Sequence, residues 1–283
     1  DIIDGLVSSF RRSGKLQAHT SFLYSVGSIY RRHNGNLLYH GCIPCDGDGE
    51  FMEFSLYSDA PLKGRAFLDW ADRLARQGYF APEGSMERLR GLDFLWFLWC
   101  GRNSPLCGRT KITTFERALI EDKAAYTEPK NPYYLYYGSE DFCRRILDDF
   151  DLHKPWSRII NGHMPVKVKE GEDPRKGGGR LVVIDGGFCK AYQKQTGIAG
   201  YTMFFSSHRM RIAAHEPFTT REDAIYGKKD ITSHSFIMEN LPRRLMISDT
   251  DAGEGIKRRI EDLNALLDAY RSGAIKTDST GRI

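Results

Sequence analysis

The sequence lacks any apolar run long enough to cross a membrane. Its longest apolar clusters, residues 94–100 and 181–184, fall far short of the roughly 20 consecutive apolar residues that span a bilayer. No secretory signal pattern stands at the start of the chain. Charge of one sign is not in excess either. The 41 Lys and Arg residues oppose 37 Asp and Glu residues, and a net charge of +4 does not favour a nucleic-acid binder. We therefore expect a globular, cytoplasmic protein.

The chain lacks the high cysteine content of a disulfide-rich scaffold, with six cysteines among 283 residues. Six cysteines with no export signal before them indicate reduced thiols rather than a disulfide framework. Cys42 and Cys45, together with the nearby His40, offer three soft ligands that could suggest a structural zinc ion. A closed zinc site takes four ligands, commonly two spaced pairs, and the sequence offers no matching second pair. Incidental cysteines are the better interpretation, and zinc is the alternative.

The hydrophobic pattern indicates a layered α/β fold. Hydrophobic residues make up 41% of the chain, which is enough for a packed core. Helical spacing over residues 1–32 precedes an Asn34-Gly35 turn and a short buried strand at residues 37–40. The helix over residues 86–99 ends in an aromatic cluster that we expect to anchor the core. The other predicted elements are a possible strand at 51–56, helices carrying residues 67–74, 142–150 and 256–270, and strands at 157–160, 180–185, 201–206 and 210–214.

Three predicted buried strands end in polar residues that can bind ligands. His40, His163 and Asp185 each stand at such a strand end, next to glycine. Ligands bind preferentially in loops that follow the carboxyl ends of strands, and imidazole suits Mn, Fe and Zn ions. His40 and His163 are therefore candidate metal ligands, with a purely structural, hydrogen-bonded role as the alternative. The other six histidines stand in contexts that favour structural roles.

The same segments resemble a known family, the class III (Firmicutes-type) fructose-1,6-bisphosphatases of the calcineurin-like metallophosphoesterase superfamily. The similar stretches extend over nearly the whole chain and are long, so we consider the resemblance specific. They are residues 36–44, 97–101, 104–106, 114–117, 131–134, 160–167, 183–188, 190–194, 197–202 and 269–273.

The resemblance implies a fold and an activity. The fold is a layered β-sandwich flanked by helices. Residues 1–283 would form the C-terminal part of a metallophosphoesterase-type catalytic domain, with a helical insertion at about residues 62–150. The implied reaction is hydrolysis of fructose 1,6-bisphosphate to fructose 6-phosphate and phosphate in gluconeogenesis, with manganese in a two-metal site.

The resemblance also implies roles for individual residues. His40 and His163 fall on positions of two metal-ligand histidines of the superfamily. Asn161 and Asp185 are expected to contact the ligand residues and orient them without binding the metal themselves. Two lysines just beyond the later motifs, Lys167 and Lys190, are expected to meet substrate phosphates, and the alternative is that both are solvated surface lysines.

The chain departs from the superfamily pattern at its N-terminal motifs. The superfamily places most metal ligands in Asp-x-His, Gly-Asp-x-x-Asp and Gly-Asn-His segments, and we expect this chain to carry none of them. Two histidines alone cannot hold a two-metal cluster. We therefore expect that the catalytic residues lie in a missing N-terminal half, that this half is a partner of the chain, and that the chain alone is inactive.

Two other functions remain open. The helix-rich segments favour assembly into a homo-oligomer, so the chain could be a non-catalytic oligomerisation or regulatory fragment. It could also belong to another sugar or nucleotide phosphatase of the same superfamily, because no residue chemistry in the sequence selects a bisphosphorylated sugar.

Overall fold

The computed structural model describes residues 1–187, 189–228 and 232–275, and for residues 190–192 it describes the backbone alone. The helices in these ranges are α1 Ile2–Arg12, α2 Gly14–Val26, α3 Gly64–Phe80, α4 Met86–Cys100, α5 Thr114–Leu119, α6 Tyr133–Tyr136, α7 Glu140–Asp149, α8 Lys190–Thr196, α9 Arg221–Ile225 and α10 Asp251–Arg271. The strands are β1 Tyr30–His33, β2 Asn36–Tyr39, β3 Ile159–Asn161, β4 Arg175–Lys176, β5 Leu181–Val183, β6 Gly200–Phe205, β7 Arg209–His215 and β8 Ser233–Asn240. Within the described ranges, no helix is both long and apolar enough to cross a membrane.

The strands form two sheets, which confirms the mixed α/β class. The larger sheet has the order β1-β2-β3-β5-β4, and its middle strands β2, β3 and β5 are parallel. The smaller sheet is antiparallel, with the order β6-β7-β8. β5 lies between β3 and β4 and is fully buried, as its apolar run predicted.

The parallel strands end level with one another. Tyr39 of β2 lies opposite Asn161 of β3, and Asn161 lies opposite Val183 of β5. The residues that follow each strand therefore emerge at one edge of the sheet, where parallel α/β folds place their ligands. This register brings the polar residues of three distant segments to one place.

The β1–β2 hairpin corrects the prediction that the first helical region extends to residue 32. The helix ends at Val26, and Tyr30–His33 pairs with β2 instead. Asn34 and Gly35 both have positive φ, at 50° and 84°, and Asn-Gly is the pair that such two-residue hairpin turns prefer. The turn was recognised in the sequence, but the strand before it was not.

Three other differences from the sequence expectations have local causes. Residues 51–56 form isolated bridges, Cys45 with Phe51 and Phe54 with Leu62, instead of the expected strand. β8 was not predicted because its side chains are mostly exposed and its apolar residues, 236–238, do not alternate with polar ones. At the end of α4, Phe94 and Leu98 are buried in the core as expected, whereas Trp96 and Trp99 are 65% and 64% exposed and do not anchor it.

Helices α3 and α4 cross at two glycines. A Cβ atom added at Gly91 would lie 2.2 Å from the backbone nitrogen of Gly78, which is far inside van der Waals contact. Only glycine therefore permits the close approach of the two backbones. The crossing buries Phe67, Leu74 and Phe94 against the sheet.

We predict that Gly91→Ala lowers the free energy of unfolding by about 1–3 kcal/mol, because the added methyl group forces the two helices apart. Gly5→Ala in α1 is the matched control, since a Cβ there meets no atom within 4 Å. In the control, the better helix propensity of alanine should leave stability unchanged or raise it by up to about 1 kcal/mol. Urea unfolding of both variants measures the difference, and equal effects would contradict this account of the crossing.

Candidate functional site

The two candidate histidines lie side by side at the carboxyl edge of the larger sheet. His40 follows β2 directly, and His163 follows β3 after one intervening glycine. Nε2 of His40 lies 3.0 Å from Nδ1 of His163, and the ring centroids are 4.9 Å apart at an interplanar angle of 78°. The expectation that these imidazoles converge is met, while their role as metal ligands remains a prediction.

The protonation of His163 follows from its neighbours. Its Nε2 lies 2.8 Å from the carbonyl oxygen of Cys107, so this nitrogen carries the proton and donates it. Nδ1 then carries the lone pair and accepts a hydrogen bond from Nε2–H of His40 at 3.0 Å. Burial lowers the pKa of His163 below its usual value, and the charge of the neighbouring His40 lowers it further. A neutral imidazole whose other N–H donates to a carbonyl is the form in which histidine binds metals.

The backbone at His163 is held in an unusual conformation. Its φ is +66°, in the left-handed region that few residues other than glycine adopt, at a cost of about 1–2 kcal/mol. The N–H of Met164 donates to the carbonyl of Gly162 at 2.7 Å, and the N–H of Val166 donates to the carbonyl of Asp185 at 2.8 Å. These bonds close the turn that directs the imidazole towards His40. Strained backbone of this kind clusters at functional sites.

Asn161 holds the loop that carries His40. Its side chain is buried, and Nδ2 lies 3.3, 3.1 and 2.9 Å from the carbonyl oxygens of Tyr39, His40 and Gly41. Its Oδ1 accepts a hydrogen bond from the hydroxyl of Tyr133 at 3.2 Å. The amide therefore ties the end of β3 to the end of β2.

Gly41 is required next to His40 by a close backbone approach. A Cβ atom there would lie 2.1 Å from the carbonyl oxygen of Pro105, and that carbonyl accepts the N–H of Cys42 at 2.8 Å. The segment after α4 thus closes over the His40 loop, and it also supplies the Cys107 carbonyl that orients His163.

A cavity of about 1000 Å³ opens at the two imidazoles. Asp185 lines it as well, with one carboxylate oxygen accepting the N–H of Gly187 at 2.8 Å. Arg109 and Trp99 line other parts of the wall. Sequence reasoning missed Arg109 and the Cys107 carbonyl, because neither stands at a strand end and a backbone carbonyl leaves no trace in the sequence.

Of the two lysines that we expected to contact substrate phosphates, only Lys167 has a side chain that the structure describes. The Lys167 ammonium group is exposed and pairs with Glu170 at 3.1 Å, and Lys167 is not among the described residues that line the cavity. Lys190 begins α8, but its side chain lies outside the part of the chain that the structure describes.

The residues fit part of a metal site. No group of three or more His, Cys, Asp or Glu side chains in the described ranges could hold a metal ion. The two imidazole nitrogens nevertheless suit one ion. His40 Nε2 and His163 Nδ1 lie 3.0 Å apart at the wall of one cavity, and neutral imidazole nitrogen is a ligand that Mn, Fe and Zn ions accept.

The alternative zinc site at the cysteines gains no support. Cys42 and Cys45 are buried, and their burial raises the pKa of both thiols, to about 12 for Cys45. Both Sγ atoms donate to oxygen atoms instead, Cys42 to the carbonyl of Ser104 and Cys45 to Oδ1 of Asn131, each at 3.9 Å, and within the described ranges the two cysteines belong to no group of three metal-binding side chains. The interpretation as incidental buried cysteines fits the geometry better.

Asp151-Leu152-His153 does spell the Asp-x-His pattern that we expected to be absent. It precedes β3, however, and lies beyond the amino end of that strand, whereas His40 and His163 follow the carboxyl ends of their strands. Asp151 pairs with Arg65, and His153 with Asp148 at 3.1 Å. The segment therefore does not contribute to the candidate site.

We predict that Asn161→Asp lowers the free energy of unfolding by about 3 kcal/mol, because a buried carboxylate cannot donate to the three carbonyl oxygens around it. Asn264→Asp on the exposed surface of α10 is the control and should change stability by less than about 0.5 kcal/mol. Chemical denaturation of both variants at neutral pH measures this. Equal stability of the two variants would show that Asn161 does not hold the loop.

Comparisons with known proteins show which family the chain is similar to. A protein from Clostridium botulinum (strain 657 / Type Ba4) named fructose-1,6-bisphosphatase class 3 is 50% identical over 283 residues, which are 100% of this chain and 42% of that protein. A protein of the same name from Clostridioides difficile (strain 630) is 48% identical over 276 residues, which are 98% of this chain and 42% of that protein. The chain thus spans less than half the length of these relatives, and no solved structure matches it. The sequence profile described as Firmicute fructose-1,6-bisphosphatase matches residues 1–272, and the chain belongs to that family.

Proposed function

We propose that this chain is the part of a manganese-dependent fructose-1,6-bisphosphatase that supplies two histidine ligands, His40 and His163, to a two-metal site. One observation carries the proposal. The chain belongs to this family, and ring nitrogens of His40 and His163 lie 3.0 Å apart at the carboxyl ends of its parallel strands. The relatives named as fructose-1,6-bisphosphatases are longer than this chain, and the rest of such a protein would supply the remaining ligands.

The chain's own residues would act mainly by binding and positioning. When bound, manganese would supply polarisation of the phosphoryl oxygens and activation of water. His40 and His163 would bind the ion through Nε2 and Nδ1, and the Cys107 carbonyl would keep the His163 ring in the required orientation. Asn161 would keep the His40 loop in place. Arg109 at the cavity wall would neutralise negative charge on the substrate.

The finer fold and domain assignment belongs to the same proposal. A calcineurin-like β-sandwich needs two sheets with flanking helices, and the described residues contain two sheets. Helices α3 to α7 all lie between β2 and β3 in the chain, which suits a helical insertion at about residues 62–150 in the C-terminal part of a catalytic domain.

An exposed apolar surface of this chain could be buried by contact with the remaining part of a longer protein. Trp96 and Trp99 of α4 are 65% and 64% exposed, and their ring centroids lie 5.1 Å apart. Trp99 also lines the cavity with the histidines. Large exposed apolar patches mark interaction sites, and burying this one would exclude water from the phosphoryl group.

A chimera tests the function directly. In this chimera, the present chain replaces the matching 42% of the Clostridium botulinum relative. We predict that the chimera releases phosphate from fructose 1,6-bisphosphate with manganese, whereas the chain alone gives no measurable turnover because two ligands do not complete the site.

The same assay tests the histidine assignment. His40→Ala should lower turnover of the chimera by more than about 100-fold, since losing even a partner behind a metal ligand costs about 10- to 100-fold. His208→Ala, at an exposed histidine in the turn between β6 and β7, is the control and should keep full activity. Full activity of His40→Ala, or manganese-dependent turnover by the chain alone, would contradict the proposal.

A role in homo-oligomerisation is a second candidate that α10 supports. This helix carries an apolar stripe at alternating spacings of four and three residues, which is the pattern of a coiled-coil seam. Its members are at least 41% exposed, and they are Ile256, Ile260, Leu263, Leu267 and Tyr270. Light scattering should find a dimer or larger assembly that Leu263→Lys converts to monomers, and a monomeric unmodified chain would contradict this role.

A further inference from the structure

Two basic residues lie directly opposite each other beside the candidate site. Arg109 and Lys130 form an isolated antiparallel bridge. The flanking hydrogen bonds run from the N–H of Asn131 to the carbonyl of Gly108 at 3.0 Å and from the N–H of Thr110 to the carbonyl of Pro129 at 2.9 Å. Arg109 and Lys130 are therefore a non-hydrogen-bonded pair, the closer of the two antiparallel types, with Cα atoms about 4.5 Å apart.

The pair belongs to the wall that faces the histidines. Cross-strand partners project their side chains to the same side, and Arg109 lines the cavity that His40, His163 and Asp185 also line. One guanidinium nitrogen of Arg109 lies 3.8 Å from the sulfur of Met164, the residue that follows His163. Lys130 is exposed and is not among the described residues that line the cavity, but as the cross-strand partner of Arg109 its side chain projects from the same side of the bridge, at the rim of that wall.

Like charges opposite each other on paired strands are destabilising, so the pair needs compensation. Arg109 has one acidic partner, Glu128, at 3.2 Å, but Glu128 also accepts the hydroxyl of Thr113 at 2.7 Å. For Lys130, no side chain in the described ranges forms a hydrogen bond or an ion pair with its ammonium group.

The other charged groups near Lys130 do not neutralise its ammonium group. Partial desolvation lowers the pKa of Lys130, and the positive charges of Arg109 and Lys167 lower it further. Glu172 acts in the opposite direction, but its carboxylate already accepts the N–H of Lys167 at 3.0 Å and the ammonium group of Lys176 at 2.7 Å. The positive charge of this cluster is therefore only partly compensated, which favours the binding of an added anion.

We propose that Arg109 and Lys130 form a phosphate-binding subsite of the candidate site, and that this subsite holds the phosphate of a sugar bisphosphate that is not hydrolysed. The inference rests on the proposed function in one respect: it assumes that the phosphoryl group that reacts would lie beside His40 and His163. Arginine has five N–H donors in a planar fork, and those not directed at Glu128 and Met164 suit two phosphate oxygens. Lysine adds a compact positive charge beside them.

Such a subsite explains specificity for a bisphosphate. If fructose 6-phosphate is the product, the phosphate on C1 is removed and the phosphate on C6 stays on the sugar. The Arg109–Lys130 subsite would bind the C6 phosphate, and binding energy from this remote group would position the C1 phosphate for attack.

The test compares two substrates that share the reacting phosphate. Fructose 1-phosphate lacks the C6 phosphate, and fructose 1,6-bisphosphate carries it. In the chimera, Lys130→Met should lower kcat/KM for the bisphosphate by about 10- to 100-fold, the effect of losing one charged hydrogen bond. It should leave kcat/KM for fructose 1-phosphate within about twofold. Lys15→Met, at an exposed lysine of α2, is the control and should affect neither substrate.

A second measurement on the present chain does not depend on turnover. Fructose 1,6-bisphosphate should raise the thermal unfolding midpoint of the unmodified chain and of Lys15→Met, but not that of Lys130→Met. Without ligand, Lys130→Met should unfold at the same temperature as the unmodified chain or higher, because the substitution removes a like-charge pair. A merely structural lysine would instead lower the midpoint when removed.

The outcomes separate the subsite from the proposed function. Equal losses for both substrates, or no loss for either, would overturn the subsite. If the unmodified chimera hydrolyses neither ester, the proposed function fails and the thermal measurement decides. Stabilisation that depends on Lys130 would then support an anion site, and stabilisation that does not would refute it.

Discussion

The parallel register of β2, β3 and β5 is the constraint on which the candidate site depends. Tyr39, Asn161 and Val183 lie in one row across these strands, so His40, His163 and Asp185 emerge at the same edge. A shift of one residue between neighbouring strands would turn their side chains to the opposite face and separate the imidazoles. Asn161 reinforces the register, because its amide bonds to carbonyl oxygens in the loop after β2.

The two groups of residues differ in their electrostatics. Burial and the neighbouring ring favour neutral His163, which suits metal binding. Arg109 at the cavity wall and Lys130 opposite it bring two positive charges together, and Glu128 is shared between Arg109 and Thr113. A substrate with two phosphates would engage both groups of residues under the proposal, whereas a monophosphate would engage only one.

Site residues that follow the ends of strands could be predicted from the sequence. Site residues that depend on pairing between distant segments could not. His40 and His163 were identifiable because each follows an apolar strand and stands beside a glycine. The central position of β5 followed from the four consecutive apolar residues at 181–184. Arg109 and Lys130 were missed because an isolated bridge between two loops has no periodicity. β8 was missed because its apolar residues, 236–238, are consecutive rather than alternating, and its side chains are mostly exposed.

The central claim is that His40 and His163 bind the same manganese site. Pulsed electron paramagnetic resonance of Mn²⁺ in the chimera tests it most directly, since the method detects nitrogen nuclei bound to the ion. Coupling from histidine nitrogen should be present, should weaken in His40→Ala and in His163→Ala, and should be unchanged in His208→Ala. Spectra that are the same in all four proteins would contradict the account.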